Sequence, residues 1–135
     1  MTKDSKYIFM TEMEVRDYEL DCEQIVNNSH YLNYMEHTRH KFCQTAGWPF
    51  FEMHRRGIDP VVRKIEIEYL SSLRSMEKFT SCLNLTRKGP RYIFHQDIVK
   101  ENGELAASAD VTVVVVHNGK LTRGDELAEV FAKYL

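Results

Sequence analysis

The first 46 residues contain no glycine and no proline, although the chain of 135 residues has six glycines and three prolines. Because phosphate-binding loops depend on glycines at the start of a helix, this absence excludes a nucleotide loop near the N-terminus. The three cysteines, Cys22, Cys43 and Cys82, form no CxxC pair. We therefore expect neither a disulfide framework nor a structural zinc site, and a reducing, cytoplasmic compartment.

A long apolar run and a strong charge imbalance are also missing. The longest apolar run, Val113 to Val116, is far shorter than a bilayer-spanning helix, and the N-terminus lacks the pattern of a signal peptide. The net charge of −2 gives no overall attraction to nucleic acid or to an anionic membrane. We therefore expect neither a nucleic-acid partner nor a membrane partner.

The composition is that of a globular domain. Hydrophobic residues make up 43% of the chain and charged residues 28%, which is enough apolar material for a core. Because the length matches one ordinary domain, we predict a single domain over residues 1–135.

Alternation of apolar and polar residues predicts an antiparallel sheet of five strands. The predicted strands are Ile8 to Val15, Lys64 to Tyr69, Glu77 to Arg87, Arg91 to Lys100 and Glu104 to His117. Asn102-Gly103 favours a tight hairpin, because both central positions of that turn need positive φ.

One long helix interrupts the strands. The cluster Asn27-Asn28-Ser29 offers candidates for its N-cap, so we predict a start near His30 or Tyr31 and an end at Ala46, before Gly47. A short terminal helix is predicted over Asp125 to Leu135. The element order predicts an α+β domain in which the sheet wraps around the central helix, with edges that pairing of subunits would protect.

The loop before the central helix holds the best candidate for catalysis. Asp21 lies seven to ten residues before the helix start, where free backbone N–H groups and the helix dipole favour an oxyanion. A carboxylate beside an oxyanion site suits hydrolysis of a thioester, because the departing thiolate needs little help from an acid. The alternative is that Asp21 only caps a turn.

The sequence resembles the hotdog-fold acyl-CoA thioesterases of the 4-hydroxybenzoyl-CoA thioesterase type. Three segments carry the resemblance, which extends from about Glu14 to Lys120. The first is the loop and helix start with Asp21, Ile25, Val26 and Tyr31; the second is Tyr34 to Arg39, similar to Y-x-E-x-x-R; the third is Ile67 to Arg74, similar to the Y-x-x-P-L-R strand exit.

The resemblance implies a hotdog fold, a cofactor-independent hydrolase acting on acyl-CoA, and a homodimer or homotetramer. It implies that Asp21 is the general base or nucleophile and that the backbone amide of Asn28 or Ser29 polarises the thioester carbonyl. Gln24 stands where relatives commonly have glycine.

Candidate substrate-binding residues lie elsewhere in the chain. Arg87, Lys88 and Arg91 flank one turn and can meet the phosphates of coenzyme A, as the resemblance also implies; the alternative is a solvated turn. Tyr31 and Trp48 are candidates for the acyl pocket, with core packing as the alternative. No metal site is expected, because only Glu36 and His40 share a helix face.

Two other functions stay open. The thioester could be carried by acyl carrier protein in place of coenzyme A. The domain could also bind acyl-CoA without turnover, if the loop containing Gln24 is disabled.

Overall fold

A computed structural model describes residues 6–135. Its strands are β1 (Phe9–Glu14), β2 (Ile58–Tyr69), β3 (Lys78–Lys88), β4 (Arg91–Lys100), β5 (Leu105–His117) and β6 (Lys120–Leu121). Its α-helices are α1 (Asn28–Ala46), α2 (Phe50–Arg55) and α3 (Ala128–Phe131), and short 3-10 turns cover Asp17–Glu19, Asp125–Leu127 and Ala132–Tyr134.

The strands form one antiparallel sheet in the order β1-β3-β4-β5-β2. The five predicted strands and the α+β hotdog architecture are confirmed, and β4 has the predicted bounds. The two-residue strand β6 adds to β5 after the turn at Asn118, which has a φ of 50°. This strand is too short to produce an alternation, so the sequence does not predict it.

Helix α1 lies across the concave face of the sheet and supplies much of the core. Its buried side chains include Tyr34, Met35 and Phe42. The Phe42 ring meets the rings of Phe94 on β4 and Phe131 on α3 at centroid distances of 6.2 and 5.6 Å. The sheet and the terminal helix therefore close on the same helical face, which accounts for the aromatic content of α1.

The ends of α1 differ in how well the sequence predicts them. Gly47 ends the helix in the left-handed region with a φ of 113°, as predicted. The start near His30 or Tyr31 is wrong, because the helix begins at Asn28. Asn27 is the N-cap residue, and its side chain accepts a hydrogen bond from the Ser29 amide, which allows the helix to begin earlier.

Strand β2 is twice as long as predicted and much more exposed. Its inner-face residues Val62, Ile65 and Tyr69 are between 37% and 44% exposed, and β2 is the last strand in the sheet order. Short-range alternation indicates that the strand has an apolar side but not whether anything covers it. Within residues 6–135, the outer edge of β2 has no partner strand.

Two smaller differences concern helices. The sequence does not predict helix α2, because six residues after Pro49 are too few to show a helical period. The predicted terminal helix over residues 125–135 is split into α3 and two flanking 3-10 turns. Among residues 6–135, no helix has both the length and the apolar character for crossing a membrane.

Candidate active site

In the first turn of α1, the backbone amide of Asn28 has no hydrogen-bond acceptor among residues 6–135. Oδ1 of Asn27 accepts hydrogen bonds from the Ser29 amide at 3.0 Å and from the Ser29 hydroxyl at 2.8 Å. The His30 amide donates to the Asn27 carbonyl at 2.9 Å. Of the two amides predicted as oxyanion donors, that of Ser29 therefore already donates to the side chain of the N-cap residue Asn27. Asn28 is the donor that remains at the positive end of the helix dipole.

Asp21 lies in a tight turn of the loop before this helix. Its Oδ1 accepts hydrogen bonds from the amide of Glu23 at 2.8 Å and, more weakly, from that of Ile25 at 3.5 Å. The Asp21 amide donates to the Ile25 carbonyl at 2.8 Å. These bonds hold the carboxyl group in one orientation and leave Oδ2 without a donor among residues 6–135. Asp21 therefore stabilises the turn with one oxygen and presents the other.

Gln24 occupies the left-handed region in this turn, with a φ of 64°. Side chains with a Cβ rarely adopt this conformation, whereas glycine does so at little steric cost. The preference of relatives for glycine at this position, implied by the sequence resemblance, thus has a backbone explanation. The Gln24 amide donates to the Asp21 carbonyl at 3.0 Å, so the turn closes despite the replacement.

Glu19 anchors the other end of the loop and was not identified from the sequence. Only 4% of this residue is exposed, and its Oε1 accepts hydrogen bonds from the Arg16 amide at 2.8 Å and the Tyr34 hydroxyl at 2.6 Å. The Arg16 guanidinium lies 3.0 Å from Oε2. Burial opposes ionisation of this carboxyl, but these hydrogen bonds outweigh burial and hold the pKa of Glu19 below its usual value.

The loop is also tied to the chain that follows β2. The Val26 amide donates to the Leu73 carbonyl at 2.9 Å, and the Asn27 amide donates to the Glu19 carbonyl at 3.0 Å. Ile25 forms an isolated bridge with Arg74. Asp21 and the start of α1 are therefore positioned by backbone bonds on both sides, which favours a preorganised site.

A cleft of about 140 Å³ opens beside Asn28. Its walls include Ile25, Tyr31, Tyr69 and the chain from residue 70 to residue 72. The predicted pocket residue Tyr31 is here, but it is only 3% exposed and its hydroxyl accepts a hydrogen bond from the Leu73 amide at 3.2 Å. Tyr31 thus supports the wall of the cleft and also belongs to the core.

The predicted coenzyme A cations line a separate, shallow groove of about 930 Å³ on the outer face of the sheet. Lys88 and Arg91 are exposed at the β3–β4 turn, and Arg63 and Lys64 of β2 line the same groove. Arg87 differs from its neighbours, because its guanidinium donates to the Asp125 carboxylate at 2.6 Å and to the Arg123 carbonyl at 2.9 Å. Arg87 therefore fixes the terminal segment.

The predicted site residues lie at opposite ends of the protomer. Leu73 and Arg74, beside the Asp21 loop, precede the start of β3, whereas Lys88 is its last residue. The ends of this 11-residue strand are roughly 33 Å apart at the usual rise per residue. Trp48 lies past the far end of α1, about 30 Å from Asn28 by the helical rise. One protomer does not bring these groups to the Asp21 loop.

A family model described as the thioesterase-like superfamily matches residues 15–135. The chain belongs to the thioesterase-like superfamily. The match includes Asp21, α1 and all strands after β1. Sequence and fold therefore agree on the superfamily, whereas the particular 4-hydroxybenzoyl-CoA type is a finer assignment that the match does not make.

Individual relatives also include a thioesterase, and the matches cover different shares of this chain. The chain is 43% identical over 68 residues to the acyl-acyl carrier protein thioesterase ATL3 of Arabidopsis thaliana, covering 50% of this chain and 36% of that protein. A hypothetical protein from Aquifex aeolicus is 30% identical, with a TM-score of 0.85 over 90% of this chain and 98% of its own. The chain thus spans about a third of the plant relative it matches.

A DHNA-CoA thioesterase from Staphylococcus aureus has the same fold. Its TM-score is 0.83 at 23% identity, over 92% of this chain and 88% of that chain. At this identity the likeness concerns the fold alone. The superfamily assignment therefore rests on the family model, and the chemistry has to be inferred from the residues of this chain.

Proposed function

We propose that the protein hydrolyses acyl-CoA thioesters, with Asp21 and the Asn28 amide as its catalytic groups. The proposal is carried by a carboxylate that backbone hydrogen bonds fix in the loop leading into α1, where the Asn28 amide has no acceptor among residues 6–135 and Asn28 borders a cleft. The amide stabilises the negative charge that develops on the thioester oxygen, and the carboxylate activates the attacking group. Membership of the thioesterase-like superfamily supports this reaction class.

Two routes use the same residues. As a general base, Asp21 takes a proton from water while the water oxygen attacks the carbonyl carbon. The carbonyl electrons move to the oxygen near the Asn28 amide and return as the C–S bond breaks, and the departing thiolate takes the proton held by the Asp21 carboxyl group. As a nucleophile, Asp21 itself attacks, forms an anhydride with loss of thiolate, and water then cleaves the anhydride.

The groove beside the β3–β4 turn is proposed to bind the phosphates of coenzyme A. Lys88 and Arg91 are exposed and can meet phosphate oxygens, with Arg63 and Lys64 close by in the same groove. Arg87 is assigned an indirect role, because its guanidinium is engaged by Asp125. Of the three cations predicted to bind the phosphates, Lys88 and Arg91 therefore keep a direct role.

We also propose a two-fold dimer through β2, which would combine the two ends into one site. Val62, near the start of β2, pairs with Val113 of β5, which pairs in turn with Tyr92 beside the basic turn. Tyr69, at the other end of β2, borders the cleft at Asn28. Antiparallel pairing of β2 with a second copy would place the Val62 end of one chain beside the Tyr69 end of the other. It would also cover the exposed apolar side of this edge strand.

The decisive experiment measures release of free thiol from a panel of acyl-CoAs by wild-type protein and by Asp21→Asn. Asparagine keeps the acceptor oxygen that closes the turn but cannot serve as base or carboxylate nucleophile, so we expect activity to fall at least 100-fold. Glu23→Gln changes the exposed carboxylate two residues away and should retain activity. Full activity of Asp21→Asn would overturn the proposal. Acyl-CoA binding without thiol release by wild-type protein would favour the non-catalytic alternative.

Acyl carrier protein is the alternative carrier of the thioester. The observation that favours it is the local identity to the Arabidopsis acyl-acyl carrier protein thioesterase. An acidic carrier would also be attracted by Lys88 and Arg91, so charge does not separate the two. Comparing kcat/KM for the same acyl group on coenzyme A and on acyl carrier protein would identify the carrier.

A further inference from the structure

A second, more enclosed cavity lies between α1 and the β2 half of the sheet. Its volume is about 280 Å³. The apolar part of its wall includes Cys43, Val62, Phe94 and Phe131. For comparison, apolar cavities of about 150 Å³ bind benzene, so this space is suited to a chain of roughly eight carbons. The cavity does not include Asp21 or Asn28.

Arg39 gives this cavity an unusual charge. The residue lines the cavity, is only 7% exposed and donates one hydrogen bond, to Oε1 of Gln96 at 2.8 Å. Within residues 6–135, no carboxylate lies within 4 Å of its guanidinium nitrogens. Burial lowers the pKa of Arg39, which reflects the cost of holding a charge away from water.

Glu36 lines the same cavity and is the carboxylate that acts electrostatically on Arg39. Its side chain is 58% exposed, and it pairs with His40 at 3.8 Å. Water therefore screens the Glu36 charge far more than the charge of Arg39. Within residues 6–135 the Arg39 guanidinium donates one hydrogen bond, so its other N–H groups can meet the carboxylate of an apolar molecule that enters the cavity.

We propose that this cavity binds a free medium-chain carboxylic acid, with its carboxylate on Arg39 and its chain among the apolar side chains. The acid is the kind of molecule that the proposed thioesterase reaction releases, so the source of the ligand rests on that function. The binding itself does not, because it needs neither Asp21 nor the Asn28 amide. The site would retain product and make turnover sensitive to free acid.

Equilibrium binding of octanoate and of its neutral analogue octanamide tests the proposal without any hydrolysis. By titration calorimetry near pH 7.5, wild-type protein should bind octanoate at least ten-fold more tightly than octanamide. Arg39→Met keeps an apolar stem and removes the charge, so the two ligands should then bind within about two-fold of each other. Equal binding of both ligands by wild-type protein would overturn the proposal.

Two further variants test whether octanoate occupies this cavity. Val62→Phe places bulk in the cavity from a partly exposed position and should weaken binding of both ligands at least ten-fold, even if Arg39→Met fails to fold. Because Val62 also lies at the proposed dimer contact, sedimentation must show the same oligomeric state for this variant and wild type. Leu121→Phe adds similar bulk on β6, outside the cavity, and should leave both affinities unchanged. Unchanged octanoate binding by Val62→Phe contradicts the proposed location.

Asp21→Asn distinguishes failure of this proposal from failure of the proposed function. The variant should bind octanoate as wild-type protein does, whether or not it hydrolyses thioesters. Loss of octanoate binding in Asp21→Asn would move the acid to the catalytic loop and overturn the cavity assignment.

Discussion

The Tyr34 hydroxyl donates a 2.6 Å hydrogen bond to Oε1 of Glu19, joining α1 to the start of the loop that contains Asp21. Both residues are almost fully buried, and the bond is charge-assisted. Burial and the neighbouring carboxylate both raise the pKa of Tyr34, so the phenol stays protonated and serves as donor. This contact fixes where the Asp21 turn begins relative to the helix.

Removal of the Tyr34 hydroxyl should destabilise the protein measurably. For Tyr34→Phe we expect the free energy of unfolding to fall by about 2 kcal/mol, since Glu19 would stay buried with one donor fewer. Urea denaturation measures the change. Tyr69→Phe is the matched control, because the Tyr69 hydroxyl is partly exposed and makes only a 3.4 Å contact with the Asn28 carbonyl. An equal loss in both variants would contradict this expectation.

Glu19 should also make stability depend on pH. Because the pKa of Glu19 is lowered in the folded protein, its contribution is fully present above the unfolded value of about 4.5. The contribution is lost as pH falls below that value, through the lower folded pKa. We expect Glu19→Gln to be less stable than wild type at pH 7 and to lose less stability toward acid pH. Glu14→Gln, which removes an exposed carboxylate, should keep the wild-type pH profile; thermal melting across pH measures both.

The left-handed conformation of Gln24 predicts a stabilising substitution. Gln24→Gly should raise the free energy of unfolding by about 1 kcal/mol, because relief of the unfavourable φ exceeds the entropic cost of glycine. Gln44→Gly in the exposed last turns of α1 is the control, and should lower the free energy by about the same amount. If Gln24→Gly also destabilises, the turn is not strained. Thiol release in the same variant shows whether the turn with glycine supports faster turnover.

The sequence predicts those features of the fold and the candidate site that depend on residues close together in the chain. Alternation identified the long strands and Gly47 the end of α1, and the position of Asp21 in a loop before a helix followed from the order of elements. The buried partner Glu19 could not be found, because its burial depends on Tyr34, fifteen residues away and on the next element. An exposed glutamate and a buried one have the same local pattern.

The separation of Asp21 from the basic turn shows a second limit. Both sets were identified as site residues from residue type, but only the fold shows that they lie near opposite ends of β3, a strand roughly 33 Å long. Likewise, Arg87 and Arg91 are equivalent in sequence, and only the fold places Asp125 beside Arg87. Distances between elements, and contacts with a second copy, are set by topology and lie outside local patterns.

A complementation experiment tests whether one site uses two copies of the chain. If Asp21 of one protomer acts with Lys88 and Arg91 of another, Asp21→Asn and the double variant Lys88→Ala/Arg91→Ala should each be impaired alone. Co-expressed with different tags and purified as mixed dimers, they should recover about half of the wild-type kcat/KM, because one of two sites then has all its groups.

Two controls accompany the mixed dimers. A dimer of one wild-type chain and one chain with all three substitutions should not recover kcat/KM. Each of its two sites would lack either Asp21 or the basic pair Lys88 and Arg91. Ile65→Asp, on the exposed inner face of β2, should reduce dimer formation in sedimentation experiments, because it places charge in the proposed contact. Recovery to half in the dimer with all substitutions in one chain would mean that each protomer works alone.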